Sequence, residues 1–123
     1  MALDPQTIGK LQGLGRVAFG AALTFVPERA GGSWIGSSAS RPGVGVITSA
    51  TGIRDMALGA GQASALFNGG DARPWLRAGA ACDLVDLVAT LRARSDLPTG
   101  AVVGVTLVAT GSIAIGAWLH ATL

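Results

Sequence analysis

Residues 43–67 place the strongest constraint on how this chain can fold. The stretch is long enough to cross a bilayer as a helix, which takes about 20 residues, and it is almost wholly apolar or small. Arg54 and Asp55 nevertheless lie near its middle. A charged side chain at membrane depth is costly and normally faces a partner or a water-filled cavity. We therefore expect this segment to span a membrane and to present its two charges to neighbouring helices.

Composition favours an integral membrane protein over a soluble domain. The chain has 123 residues, which is enough for one domain. Half of them (50%) are hydrophobic and 13% are charged, and the mean hydropathy is +0.52. Soluble domains carry about 25% charged residues. The net charge of +2 comes without a basic run interleaved with aromatic residues, so nucleic acid is not an expected partner.

Proline and charge signals divide the chain into four helices. Asp4 and Pro5 suit a helix start, Pro27 ends the first helix, and Pro74 opens the third. Residues 97–119 contain no charge and form the clearest span. The predicted fold is all-α, an integral membrane antiparallel four-helix bundle in one domain, residues 1–123, with helices at about 5–26, 43–67, 74–91 and 97–121.

Two further features bear on location. A loop rich in Gly and Ser is expected over 27–42, with Trp34 and Ile35 in the lipid headgroup region as an interfacial anchor. The N-terminal apolar stretch is interrupted by Lys10 and Arg16, so we interpret it as a retained first helix and not as a cleaved signal peptide. We expect a multi-pass protein of the cell membrane, with the lipid bilayer as its surroundings.

Five ionisable side chains fall inside the predicted helices: Arg16, Arg54, Asp55, Asp83 and Asp86. Adjacent residues on a helix do not face each other, so Arg54 and Asp55 should each seek a partner on another helix. Asp83 and Asp86 are one turn apart and should repel each other, unless a cation lies between them or one is protonated. The three aspartates are the candidate catalytic residues, and the two arginines are candidate ligand-binding residues.

Uncharged polar residues extend this predicted cluster. Three of them lie four positions from a charged residue and so share its helix face: Gln12, Thr51 and Thr90. We predict that these three also bind the ligand. Thr106 and Thr110 form a pair at the same spacing, which either faces the cluster or bonds back to its own helix.

Small residues at helical spacing favour close packing. Gly9 and Gly13, and likewise Gly100 and Gly104, form GxxxG steps that let another backbone approach. Such faces are compatible with a homodimer, and equally with close packing inside one bundle.

Metal and cofactor chemistry have little support in the sequence. Cys82 is the only cysteine and falls in an apolar helix, which is typical of a buried, inert thiol. His120 is the only histidine and has no cysteine pair nearby. We therefore predict no metal site and no cofactor.

Three functions fit an intramembrane Arg/Asp cluster. The first is a cavity or path that binds or converts a small amphipathic or lipid-soluble molecule, and we take it as the main expectation. The second is an acid/base membrane enzyme of isomerase, cyclase or hydratase type, in which one aspartate donates a proton and another acts as base. The third is a structural or accessory subunit whose ion pairs only fix helix packing.

Several short motifs resemble those of a known family. They are Gly13-Leu14-Gly15-Arg16, Trp34-Ile35-Gly36 followed by Arg41-Pro42, Gly52-Ile53-Arg54-Asp55 with Leu58-Gly59, Arg73-Pro74-Trp75-Leu76, and Asp83-Leu84-Val85-Asp86 with Ala89-Thr90. With them the chain resembles the small four-helix bacterial membrane proteins of unknown function that are grouped with the DoxX-like superfamily.

The resemblance covers most of the chain and implies a four-helix integral membrane fold. It implies the same five charged residues as the family's polar signature. Some DoxX-like proteins are associated with quinone-linked sulfur or thiol oxidation. This chain has only Cys82 and no cysteine pair, so the resemblance does not extend to thiol redox chemistry.

Overall fold

The computed structural model describes residues 2–123, and every regular element among them is helical. The all-α class predicted from the sequence is confirmed. The elements are five α-helices, α1 Pro5–Phe25, α2 Pro27–Ile35, α3 Pro42–Phe67, α4 Arg73–Arg92 and α5 Thr99–Thr122, with short 3₁₀ segments at Gly36–Ser40 and Arg94–Asp96. The bounds of the four long helices differ from the predicted bounds by at most two residues at any end.

The predicted loop over 27–42 is wrong, because α2 and a 3₁₀ segment fill most of it. Pro27 lies at the first helical position and Glu28 in the first turn, where a fixed φ and a negative charge both favour a helix. Gly36 ends α2 with a φ of 71°, a conformation that side-chain-bearing residues rarely adopt. The segment therefore folds back as a short helix across one end of the bundle.

Asp4 caps the start of α1. Its carboxylate accepts hydrogen bonds from the backbone N–H of Gln6 and Thr7 and from the Thr7 hydroxyl. The Thr7 hydroxyl is the largest cause of an Asp4 pKa below the ordinary value, since it stabilises the ionised form. The N-cap role expected from the sequence is thus present.

Glycines hold α1 and α3 together as a close antiparallel pair. A Cβ added at Gly13 would lie 2.9 Å from the carbonyl oxygen of Gly59, and one added at Gly20 would lie 2.7 Å from the backbone nitrogen of Met56. Only residues without a side chain permit this approach. The GxxxG face of α1 is therefore occupied within the chain, and it brings Arg16 next to the middle of α3.

The other two long helices form a second pair. α5 packs mainly on α4 and only sparsely on α1. Leu66, Ala72, Leu76 and Leu119 form a buried apolar cluster at the end of the bundle where α4 begins and α5 ends. Because this cluster joins the pairs at one end, a gap is left between α1 and α5 further along.

Length and composition identify one helix among residues 2–123 as able to span a membrane. This is α5, with a mean hydropathy of 1.9 over its most apolar stretch. The same measures do not support the other three predicted spans, whose charged and small residues lower their hydropathy. Large apolar side chains are nevertheless exposed on several helices, including Phe25, Val46, Leu107 and Val108, each at least 67% exposed.

Candidate functional site

The charged residues lie at the mid-height of the bundle. Arg16, Asp55 and Asp83 each occupy, or lie next to, the middle residue of α1, α3 and α4 respectively. Three helices thus bring their central residues to one level. The five ionisable residues predicted to cluster do so in the structure.

Arg16 and Asp83 form a bidentate ion pair between α1 and α4. Nη1 of Arg16 donates to Oδ1 at 3.0 Å, and Nη2 donates to Oδ2 at 2.5 Å. The two side chains are only 9% and 12% exposed. Nη2 also donates to Oγ of Ser112 at 3.2 Å, which adds α5 to the contact. Fork-to-fork geometry of this kind is the strongest form of arginine–carboxylate pairing.

Arg54 serves two carboxylates. Nη1 and Nη2 donate to Oδ1 and Oδ2 of Asp86 at 3.1 and 2.6 Å. Nε and Nη2 also donate to Oδ1 of Asp55 at 3.3 and 3.0 Å. The expectation that Arg54 and Asp55 would not pair is wrong. The long guanidinium stem folds back over its neighbour, and its five donors suffice for both carboxylates.

Asp83 and Asp86 avoid the repulsion expected from their spacing. All four of their oxygens accept hydrogen bonds from guanidinium groups, Asp83 from Arg16 and Asp86 from Arg54. Each carboxylate thus has its own cation, delivered by a different helix. No bound metal is needed to hold the two aspartates on one helix face.

Asp55 links these two ion pairs. The residue is 3% exposed, and its Oδ1 lies 3.6 Å from Nη1 of Arg16 as well as within hydrogen-bonding distance of Arg54. It joins Arg16–Asp83 and Arg54–Asp86 into one network across α1, α3 and α4. We refer to these five side chains as the ionic network.

A cavity of about 420 Å³ opens beside the ionic network, with lining residues from all five helices. Its walls are mostly apolar or small and include Phe19, Gly104 and Val108. The polar part of the lining consists of Arg16, Asp55, Asp83, Asp86, Gln12, Ser33 and Ser112. A Cβ added at Gly100 or Gly104 would meet nothing within 4 Å. The second GxxxG step therefore borders open space within the chain, and the expectation that it packs closely inside the bundle is wrong.

Trp34 belongs to this cavity, although the sequence suggested an anchor in the headgroup region. Its indole Nε1 donates to Oγ1 of Thr90 at 2.9 Å, and its ring lies 6.3 Å from that of Phe19. Thr90 is 3% exposed and its hydroxyl donates to the carbonyl oxygen of Asp86 at 2.7 Å. Thr90 thus positions Trp34 and lies outside the cavity lining.

The other predicted polar residues have separate places. Gln12 lines the cavity, donates to the carbonyl oxygen of Ser112 at 3.0 Å, and accepts from Gln62 at 3.1 Å. Thr51 is half-buried on α3 and is not among the cavity-lining residues. Thr106 and Thr110 do not line the cavity either.

Ser112 is the α5 residue that the sequence reading missed. The signal was present, because Gly100, Gly104, Val108 and Ser112 recur every four residues and so share one helix face. Thr106 and Thr110 lie on other faces of the same helix. A serine in line with two glycines was the better indication of a polar contact on the face of α5 that borders the cavity.

The remaining candidate residues lie outside the network. Cys82 is a half-buried free thiol next to Asp83. His120 lies near the end of α5 with no hydrogen-bond partner for its buried Nε2 among the described residues. The part of the chain that the structure describes has no group of three or more His, Cys, Asp or Glu side chains arranged to hold a metal ion.

Comparison with known proteins does not assign this chain to a family. No family model matches the chain, and no curated protein or solved structure matches it significantly.

Proposed function

We propose that this is a multi-pass membrane protein whose four long helices cross the bilayer as an antiparallel bundle. We further propose that its central cavity binds a small amphipathic or lipid-soluble molecule. One observation carries the proposal: an ionic network at the mid-height of the helices borders an apolar cavity of about 420 Å³. Pockets of about 300–1,000 Å³ with a few convergent polar groups are typical ligand sites.

The outer surface supports placement in a bilayer. α4, the shortest of the four long helices, has 20 residues, which is about 30 Å at 1.5 Å per residue and matches the hydrocarbon thickness. Ile47, Ile53, Val85 and Leu107 are all more than half exposed, and they lie on three different helices. A soluble monomer rarely exposes so large an apolar surface. Lipid chains would cover it, as they would in the DoxX-like arrangement that the motifs resemble.

The cavity has a side exit suited to a molecule that arrives through lipid. Phe19 on α1 and Val108 on α5 line the cavity, and their side chains are 44% and 73% exposed. Gly15 and Gly104, which also line it, are exposed and have no side chain to close the gap between the two helices. The polar lining of the cavity then takes the head of such a molecule, while its apolar body faces α1 and α5.

The purely structural alternative accounts for the ion pairs but not for the space beside them. A network that only fixes helix packing needs no cavity, and close packing would stabilise it better.

Acid/base catalysis remains a second candidate because of Asp55. All four oxygens of Asp83 and Asp86 already accept guanidinium hydrogen bonds, whereas both bonds to Asp55 end on Oδ1. Asp55 is therefore the carboxylate best placed to exchange a proton with a bound molecule.

A homodimer would need a surface other than the α1 glycines. Gly13 and Gly20 are in contact with α3 within one chain. A second copy could instead meet exposed apolar side chains, which α1, α3, α4 and α5 all present. The cavity itself is lined within a single chain, so ligand binding does not depend on that contact.

Native mass spectrometry of the gently extracted protein tests the proposal. Gly104→Phe fills the cavity without altering a charge, and Gly111→Phe is its matched control on the same helix, where an added Cβ also meets nothing within 4 Å. We expect a stoichiometric small molecule on the wild type and on Gly111→Phe, and its loss from Gly104→Phe. A wild type that carries only annular phospholipid, or equal occupancy in both variants, would contradict ligand binding in this cavity.

A further inference from the structure

We propose that the cavity takes an amphipathic organic cation whose single ammonium-type head binds Asp55. This rests on the proposed function, because it names the chemical class of the molecule that the cavity would hold. Three observations lead to it: the charge balance of the ionic network, the free oxygen of Asp55, and the character of the cavity walls.

The ionic network has one carboxylate more than it has cations. Two arginines face three aspartates, so with every group charged one negative charge has no counterpart. Arg16 and Arg54 are each engaged in a bidentate pair, with Asp83 and Asp86. Asp55 receives only additional hydrogen bonds from Arg54, and it is the surplus charge. An uncompensated buried charge is costly in a medium of low dielectric.

Asp55 also has an oxygen to offer. The residue is 3% exposed, and both hydrogen bonds that it accepts from residues 2–123 end on Oδ1. Asp55 lines the cavity, so a donor bound there can reach the second oxygen. A cationic donor at Oδ2 would supply both the missing charge and the missing hydrogen bond. Charge-assisted hydrogen bonds of this kind are about twice as strong as neutral ones.

The rest of the cavity suits the apolar part of such a molecule. Val105 and Val108 line one side, and the rings of Phe19 and Trp34 line another. Aromatic faces attract cations as well as apolar groups. A carboxylate or phosphate ligand would bring a second negative charge next to Asp55. A neutral alcohol would fill the volume but leave the charge of the network unmatched.

A proton on Asp55 is the competing way to neutralise the network. The two cases differ in which head group the cavity prefers. With an ionised Asp55, an amine binds better than an alcohol of the same chain length. With a protonated Asp55, the alcohol binds at least as well as the amine. A series of ligands with one tail and different heads therefore separates the two.

Trp34 reports occupancy of the cavity directly, because it lines the wall. Trp75 and Trp118 are surface residues, 39% and 38% exposed, so Trp75→Phe with Trp118→Phe leaves Trp34 as the single fluorophore. We would titrate this variant, in phosphatidylcholine nanodiscs, with terminally brominated octylamine, octanol and octanoate, whose bromine quenches indole emission. Trp34→Phe, which keeps the two surface tryptophans, measures quenching by probe that is merely dissolved in the bilayer.

We expect saturable quenching of Trp34 by the amine at a concentration at least about tenfold lower than by the alcohol, with little saturable quenching by the carboxylate. In the Asp55→Asn variant the preference for the amine disappears, while quenching by the alcohol persists. Equal affinity for amine and alcohol in the wild-type site overturns the assignment, whether or not Asp55→Asn folds. A preference for the amine that survives in Asp55→Asn overturns it as well.

Failure of the underlying function gives a different result. If no probe quenches Trp34 beyond the level seen for the surface tryptophans, the cavity binds none of these molecules and both proposals fall. Saturable quenching that is independent of the head group keeps the cavity as a ligand site and removes only the cationic assignment. Gly104→Phe provides the reference for a filled cavity, in which saturable quenching of Trp34 should be absent.

Discussion

Arg16 and Asp83 lie 67 positions apart in the chain and meet at the middle of α1 and α4, with Nη1–Oδ1 and Nη2–Oδ2 distances of 3.0 and 2.5 Å. The long Arg16 side chain reaches from α1 to α4, where it lies against Gly79; a Cβ added there would be 3.1 Å from Nη2. Ser112 completes the contact from α5. One guanidinium thus connects three helices beside the cavity wall.

Removing both members of this pair should destabilise the fold by less than the sum of the two single removals. Arg16→Met leaves Asp83 buried without its cation, and breaking a buried pair costs about 3–5 kcal/mol. Asp83→Leu should cost a similar amount, and Arg16→Met combined with Asp83→Leu should cost less than the two single changes together. Thermal unfolding in detergent measures all three. Arg92→Met, at an exposed residue on α4, is the control and should change stability by at most about 0.5 kcal/mol. Additive single effects would contradict a direct pair.

The contact between α1 and α3 should be sensitive to a single methyl group. Gly13→Ala places a Cβ 2.9 Å from the Gly59 carbonyl oxygen, which is backbone and cannot swing away. Forced overpacking of this kind costs about 1–3 kcal/mol. Gly15→Ala is the matched control on the same helix, where the new Cβ meets nothing within 4 Å, and it should stabilise the helix by up to about 1 kcal/mol. The two midpoints of unfolding should therefore move in opposite directions. A shift of equal sign and size would mean that α1 and α3 do not pack so closely.

The hydrogen bond between Trp34 and Thr90 should hold α2 against the cavity. Thr90→Val keeps the side-chain shape but removes the acceptor of the indole N–H of the half-buried Trp34, at a cost of about 0.5–1.5 kcal/mol. Trp34 emission, measured with Trp75 and Trp118 replaced by Phe, should change as the ring loses its fixed environment. Thr110→Val, at an exposed residue on α5, should change neither stability nor emission. Unaltered Trp34 emission in Thr90→Val would show that α2 is held by other contacts.

Proline positions and charge-free stretches predicted the bounds of the long helices well, but they did not predict the structure of the segment between the first two. Proline positions and the lack of charge over 97–119 are local signals, and they gave bounds close to those of α1, α3, α4 and α5. The high cost of buried charge correctly singled out the side chains that meet. The segment 27–42 resembles a loop in composition because it is rich in Gly and Ser, but Pro27 and Glu28 supply a helix start.

The partner of each charge could not be predicted from the sequence. Helical spacing indicates which residues share a face, but it does not indicate which carboxylates a long arginine side chain can contact. Arg54 therefore folds back to Asp55 while also reaching Asp86 on another helix. The cavity was equally hidden, because the gap between α1 and α5 results from how two helix pairs are joined at one end. A GxxxG step has the same sequence whether it packs against another helix or borders open space, as Gly100 and Gly104 do.

The depth of the ionic network in the bilayer is the most direct test of the proposed membrane-spanning bundle. Cys82 is the only cysteine, half-buried and adjacent to Asp83 at the middle of α4, so a nitroxide attached to it reports the level of the ionic network. In bilayers, its spin relaxation should respond strongly to oxygen and weakly to a water-soluble nickel chelate, as at the centre of the hydrocarbon core. Strong relaxation by the nickel chelate, at the level of the headgroups or of free solution, would contradict a membrane-spanning bundle with its charges at the middle.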